Sequence, residues 1–341
     1  MRILIVGGTG LISTSITRLA QQRGFEVTHA NRGTRPTPDG VMSIRADRQD
    51  AGAFAAAIQS AGTFDAIIDM VGFTECDAET MLQAMRGVAP QLVFCSTVDV
   101  YGQPADRYPI REDERRKPAS GYPANKQAAE EILVAAHARG DVAVTILRPA
   151  HTYSDTGAII HSFGWSTMML DRLTKGKPVI VHGDGNSLWS SCHADDVAVP
   201  FVNACGNVAA FGRSYNTAGN EWLTWNQYHR IVAEALGAPE PKLVHIPTDL
   251  LPRLDERAWI CHSNFQFSNV FDNTAAATEL GFEQTISWRQ GTERIVRYLR
   301  ANGGFEDSDA DAQYDRVVEV WERHSAAMRS AAEHQADTAS E

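Results

Sequence analysis

The chain has 341 residues, 43% hydrophobic and 21% charged, and a formal net charge of −11. This is the make-up of an ordinary globular protein, long enough to bury one large core or two lobes. The acidity argues against nucleic acid as a partner unless the basic residues cluster, and no run approaches the roughly eighteen apolar residues of a membrane span.

The charge is uneven, because residues 305–341 hold ten acids against three arginines. Five scattered cysteines (Cys76, Cys95, Cys192, Cys205 and Cys261) suit reduced thiols better than a disulfide framework. The opening Met1–Gly7 reads as a buried strand, so no secretory signal is expected and a cytoplasmic location is.

In chain order, strands are predicted at Ile3–Val6, Glu26–Ala30, Ala66–Met70, Leu92–Cys95 and Val142–Leu147. Helical patterns fall between them, at Ile12–Arg23, Ala53–Ser60 and Ala124–Arg139. This alternation predicts an α/β fold of the Rossmann type, a doubly wound parallel sheet covered by helices on both faces. After residue 150 the pattern is irregular, broken by Pro178, the His182–Gly185 turn, Gly206 and Gly212. Helices are expected over Trp225–Leu236 and Ser287–Leu299.

The expected organisation is a dinucleotide-binding core over 1–156, with 193–220 returning to it. A smaller substrate lobe would comprise 157–192 and 221–304, laid against the sheet's C-terminal edge. An acidic helical tail covers 305–341, where Tyr314, Val317, Trp321 and Met328 recur at helical spacing. That helix is expected to dock on the body or on a second subunit, with about the last eight residues frayed.

The first strand runs into Gly7-Gly8-Thr9-Gly10-Leu11-Ile12-Ser13, and a helix follows at once. Glycines allow a tight turn and a close approach of backbone N–H groups to a pyrophosphate, and the helix N-terminus adds favourable partial charge. Ser13 stands in the third glycine's place and is small enough for close packing. The second strand ends in Asn31-Arg32, where an NAD site usually has a carboxylate for the adenine ribose. An arginine attracts the extra phosphate of NADP, so NADP is favoured over NAD. Asp47 and Arg48 are candidates for the adenine; Leu11, Ile12, Met70, Val71 and Pro149 complete the candidate cofactor-binding residues.

Tyr122 and Lys126 are four apart on a predicted helix and share one face. An ammonium beside a phenol favours the phenolate, which can take a proton from an alcohol as hydride leaves the same carbon. Thr97, twenty-five residues before Tyr122, supplies a hydroxyl to orient that oxygen, and Lys126 can also hold the nicotinamide ribose. Cys192-His193 and Cys261-His262 are isolated pairs without zinc-site spacing, so no metal is expected.

Together the Gly7–Ser13 turn, Ser96–Gly102, Tyr122/Lys126, Arg148–Tyr153, His193–Ala198 and Tyr215–Gly219 resemble the extended short-chain dehydrogenase/reductase family. The likeness is to its branch of sugar-nucleotide epimerases and dehydratases, over roughly residues 1–300. The resemblance implies a tightly bound dinucleotide, a substrate lobe from the C-terminal half, and a homodimer through helices that include the one carrying Tyr122. It also implies that an arginine after the Gly-Asp-Gly turn grips a nucleotide diphosphate; Trp189 stands there. A second such arginine is absent from Ala258–Val270. Trp189 is then a ring-stacking substrate contact or a core residue. His151 holds the place of an asparagine that touches substrate, and Asp99 that of a family glutamate acting as base or polar contact.

The Gly7–Ser13 and Asn31–Gly33 segments also look like a divergent subgroup that includes chloroplast RNA-binding proteins. The resulting expectation is a sugar epimerase or related sugar-modifying oxidoreductase working by transient oxidation of a ring hydroxyl, with Thr97, Tyr122, Lys126 and Asp99 as the chemical set. The alternatives are a net NADPH-dependent carbonyl reductase or alcohol dehydrogenase, and a non-catalytic nucleotide- or RNA-binding protein.

Overall fold

The computed structural model describes residues 1–339, with side-chain surroundings through His334. Backbone proximity divides the chain into two units. The first comprises Met1–Ser154, Ser190–Trp222 and Val270–Trp288; the second comprises Asp155–Trp189, Leu223–Asn269 and Arg289–Glu341.

The first unit is built on a seven-stranded sheet. Its early elements are β1 (Arg2–Val6), α1 (Leu11–Gln22), β2 (Glu26–Asn31), β3 (Met42–Arg45), α2 (Ala51–Ser60) and β4 (Ala66–Asp69). Then come α3 (Glu75–Ala84), β5 (Gln91–Cys95), α4 (Tyr122–Ala138) and β6 (Ala143–Pro149). The strand Ser214–Thr217 returns beside β6, and the order across the sheet is that strand, β6, β5, β4, β1, β2, β3. Every pairing is parallel. This is the doubly wound α/β arrangement expected from the alternation of elements.

The alternation of side chains along the strands divides the core in two. Ile3, Ile5, Ile68 and Val93 face Ile16 and Phe201; Leu4, Ile67, Leu92 and Phe94 face Phe54, Met81 and Leu133. Both faces being covered explains why β1 reads as an unbroken apolar run. Strand order reverses at β1, so a crevice opens beyond the C-terminal ends of β1 and β4, where ligands of open parallel sheets bind. β3 is not among the strands that the sequence predicts. Its residues are exposed except the partly buried Ile44, so it shows no apolar pattern. Backbone pairing with β2, Ala30 opposite Ile44, makes it a strand.

In the second unit, Val179–His182 pairs in parallel with Leu243–Ile246. The helix Trp225–Leu236 has the predicted bounds. Thr224 and Gln227 form its capping box, and Gly237 ends it in the left-handed region, which suits glycine. The tail forms the helix Ala312–Ala339. Its first turns dock on their own unit: Tyr314 and Val317 are buried, the Ile180 N–H donates to the Tyr314 hydroxyl at 2.7 Å, and the Arg172 guanidinium lies 3.8 Å from the Tyr314 ring centre. Met328, expected on the docking stripe, is exposed. Of the tail residues expected to fray, 340 and 341 lie outside the described residues.

Candidate active site

The turn after β1 is held from several sides. Gly7 has φ +84°, and a Cβ there would come within 2.5 Å of Val71. A Cβ on Gly8 would collide with the His29 ring, which is fully buried beneath it. Ser13 does more than leave room. Its hydroxyl donates to the Gly7 carbonyl and accepts from the Gly10 N–H, both at 2.7 Å, so it ties the turn to the first turn of α1. The Gly8 N–H is also taken, donating to Asn31 Oδ1 at 3.0 Å. Asn31 therefore braces the turn with its oxygen. Its buried Nδ2 has no partner among the described residues.

A cavity of about 620 Å³ opens at this turn, lined by Gly7, Thr9, Gly10, Asn31, Arg32, Asp47, Arg48 and Val71. These include seven of the residues expected to bind the cofactor; Leu11, Ile12, Met70 and Pro149 do not line it. The cavity wall also contains Arg35, Phe73 and Asp77, to which the sequence reading gave no role. Arg35 donates to the Thr9 carbonyl at 2.8 Å, so the loop after β2 reaches back to the glycine turn. Arg48 was expected at the adenine. It donates at 2.7 Å to the fully buried Asp69, and its guanidinium lies 5.1 Å from the Phe54 ring centre. The cradle without Cβ atoms, the unpartnered Asn31 amide and the cationic rim together fit a dinucleotide phosphate.

Lys126 is buried and donates to the Gly72 carbonyl at 2.7 Å and to the Cys95 carbonyl at 2.6 Å. An ammonium carries three donors, so one remains after these two bonds. Three rings surround the nitrogen, with centres at 4.8 Å (Phe94), 4.9 Å (Phe73) and 5.9 Å (Tyr122). Tyr122 opens α4 and is 46% exposed. The expected lowering of its phenol by Lys126 is not what this arrangement produces. Burial pushes the phenol above its usual range, the Cys95 and Asp99 charges push the same way, and a hydrogen bond with Thr97 pulls against them. Burial also brings the Lys126 ammonium down. The physical reason is that burial removes water from the phenol while the ammonium is turned into the two carbonyls. Thr97 caps the short helix Val98–Tyr101 by accepting from the Asp99 N–H at 3.2 Å.

The face of α4 that carries Tyr122 and Lys126 extends one turn further, to Glu130. Arg148, on β6, grips this carboxylate with two bonds of 2.9 and 2.6 Å, and Arg116 adds a third at 3.0 Å. Burial pushes the Glu130 carboxyl up, but the Arg148 hydrogen bond and charge bring it below its usual range. Arg148 also donates to the Tyr101 hydroxyl at 2.8 Å, which donates to Asn216 at 2.6 Å. This network fixes the helix bearing Tyr122 and Lys126 to the sheet. Arg148→Met removes two of the three bonds to this buried carboxylate and leaves it to Arg116 alone, which is expected to cost about 3 kcal/mol. Arg148→Met combined with Glu130→Leu should cost far less. Urea unfolding measures both; a single-variant loss below about 1 kcal/mol would refute this role for the pair.

His151 begins the strand His151–Tyr153 and lies opposite Ser191, with its Nδ1 2.8 Å from the Ser191 hydroxyl. Trp189 takes the core alternative. It is 7% exposed, with ring centres 5.0 Å from both Trp225 and Phe265. These covered faces leave no place for a sugar to stack, which corrects the substrate-contact reading. Among the described residues no cluster of three or more His, Cys, Asp or Glu side chains is arranged to hold a metal, and no helix is long and apolar enough to cross a membrane.

Comparison with known proteins agrees with this fold. The chain is 28% identical over 274 residues to 2'-dehydrokanamycin reductase of Streptomyces kanamyceticus, covering 80% of this chain and 77% of that protein. It is 27% identical over 259 residues to the chloroplast stem-loop binding protein of 41 kDa b of Arabidopsis thaliana, covering 72% of this chain and 65% of that one. A solved UDP-glucose 4-epimerase from Thermotoga maritima, 20% identical, shares the fold with a TM-score of 0.71 over 88% of this chain and 99% of that one. The model of the NAD dependent epimerase/dehydratase family matches residues 3–218, and the chain therefore belongs to that family of α/β oxidoreductases.

Proposed function

We propose that the protein is an NADP(H)-dependent oxidoreductase acting at a ring carbon of a sugar-like substrate, and that net reduction of a ketone is its reaction. The observation that carries this reading is the cationic rim of the cavity. Arg32 and Arg35 both line it, and β2 ends in Asn31 rather than a carboxylate. Such a rim favours a 2′-phosphate, and NADPH is the usual reductant. Tyr122 is protonated at neutral pH and can give its proton to a ketone oxygen as hydride arrives at the carbon. The 2'-dehydrokanamycin reductase is a relative whose name describes a reduction.

The nicotinamide supplies the hydride when bound. The chain's residues do the rest. Thr97 orients the reacting oxygen. Tyr122 protonates it. Lys126 offers its remaining donor to the dinucleotide ribose, and Asp99 is a second polar group beside the phenol. His151 is a substrate contact. An epimerase working by transient oxidation uses the same groups but returns the hydride to the same carbon. The absence of both diphosphate-binding arginines favours a substrate other than a nucleotide diphosphate. A homodimer in the cytoplasm is the proposed working form.

Two measurements test the reading. The NADPH absorbance should fall one for one with product, whereas an epimerase would turn over with no net change. Arg32→Ala combined with Arg35→Ala should lower kcat/KM with NADPH by roughly 100-fold, with NADH nearly unaffected. An equal loss with both cofactors would overturn the 2′-phosphate assignment.

A further inference from the structure

Phe73 is a large apolar side chain left 45% exposed in the wall of the cavity. Its backbone is clamped on both sides. The Phe73 N–H donates to Asp77 Oδ2 at 2.9 Å, and that oxygen also accepts from the Thr74 N–H and hydroxyl, each at 2.9 Å. On the other side the Gly72 carbonyl receives the Lys126 ammonium. Only glycine fits at 72, because a Cβ would come within 2.8 Å of both Asp69 and Phe94. The loop is thus pressed against the sheet, and the Phe73 ring is carried to the catalytic face of α4. Its centre lies 6.3 Å from that of Tyr122, tilted by 52°, and 4.9 Å from Lys126 Nζ.

We propose that Phe73 is a positioning residue of the catalytic set, a fixed aromatic wall that keeps water from the Lys126 ammonium and from the flank of the Tyr122 phenol. The proposal rests on the roles assigned above to Tyr122 and Lys126. Phe94 covers the ammonium from the sheet side at 4.8 Å, so Phe73 supplies the cover on the exposed side. A ring face toward an ammonium is attractive, and the more so when water is excluded. The phenol is held in its protonated form by burial first, and removing a desolvating ring relaxes that constraint. The titratable groups facing the phenol are Cys95 and Asp99. Those facing the ammonium are Cys95, Asp69, Glu130 and Arg48. None of them is altered by a change at Phe73.

The test reads the phenol directly and needs no substrate. Tyrosine labelled with 13C at Cζ is followed by NMR against pH in the wild type, F73A and F73L, with Y122F identifying the Tyr122 signal. F73A is expected to lower the Tyr122 titration midpoint by about one unit or more. F73L, which keeps the apolar bulk, is expected to stay close to the wild type. An unchanged midpoint in F73A overturns the proposal. A shift in F73L as large as in F73A overturns exclusion of water as its means. Failure of the underlying functional reading is a separate result: Y122F that still turns over NADPH would sink the role of Tyr122 while leaving the phenol titration interpretable.

Discussion

Tyr122→Phe is expected to lower kcat for NADPH-dependent ketone reduction by on the order of 10³-fold, within the range contributed by a positioned general acid. The substitution removes one oxygen and keeps the ring. The contacts with Phe73 and with the Lys126 ammonium therefore survive, and NADPH affinity should change little. Lys126→Met should behave differently. It removes the donor to the Gly72 and Cys95 carbonyls together with the donor left for the ribose, so NADPH affinity and kcat should fall together. The two variants separate proton donation from cofactor placement. Steady-state kinetics with NADPH titrated by fluorescence reads both. Y122F activity within about threefold of the wild type would end the assignment of Tyr122 as the acid.

The second large effect is acid lability. Four histidines are buried and held neutral. Burial brings His29, His161 and His182 down to about 4 and His229 to about 3, from an ordinary 6.5. Above pH 6.5 they are neutral in folded and unfolded chain alike and do not affect stability. As pH falls below 6.5 the unfolded chain takes up protons that the folded chain refuses. Stability is therefore lost progressively down to about pH 4, and to about pH 3 for His229. At pH 5 each histidine costs on the order of 2 kcal/mol, a large fraction of the stability of a typical domain. Urea unfolding at pH 7.5 and pH 5 should show this loss. His229 has neither ring nitrogen partnered among the described residues, so His229→Phe should recover about 2 kcal/mol at pH 5. Equal stability at the two pH values would refute the account.

The candidate site was partly readable from short-range pattern. Gly7–Ser13 lies directly between an apolar strand and an amphipathic helix, and Tyr122 and Lys126 lie one helical turn apart, so each could be placed from its own neighbours. Glu130, one turn beyond Lys126, could have been read by the same spacing as a third group on that face. Arg35 follows Arg32 by three residues and could have been read as a second cation at the rim. Nothing in the sequence marks Asp69 as the partner of Arg48, because that pair joins β4 to the loop after β3. Nor does anything mark Phe73, whose exposure depends on where Gly72 presses the loop against the sheet.

The sequence by itself determined the doubly wound core, the glycine-rich turn after β1, the Tyr122–Lys126 face and the absence of a carboxylate after β2. These rest on alternation of period two, on helical spacing and on glycines in a fixed context, all local properties. Tertiary structure alone decided the protonation of Tyr122, the burial of Trp189 under Trp225 and Phe265, the docking of the tail through Tyr314, and the edge strand β3. Each of these depends on which distant residues remove water or complete a hydrogen bond, and such contacts leave no periodicity in the chain. The Lys126 ammonium shows the division most plainly. Its spacing from Tyr122 suggested a lowered phenol, but the carbonyls of Gly72 and Cys95 turned the charge aside, and burial then held the proton on the phenol.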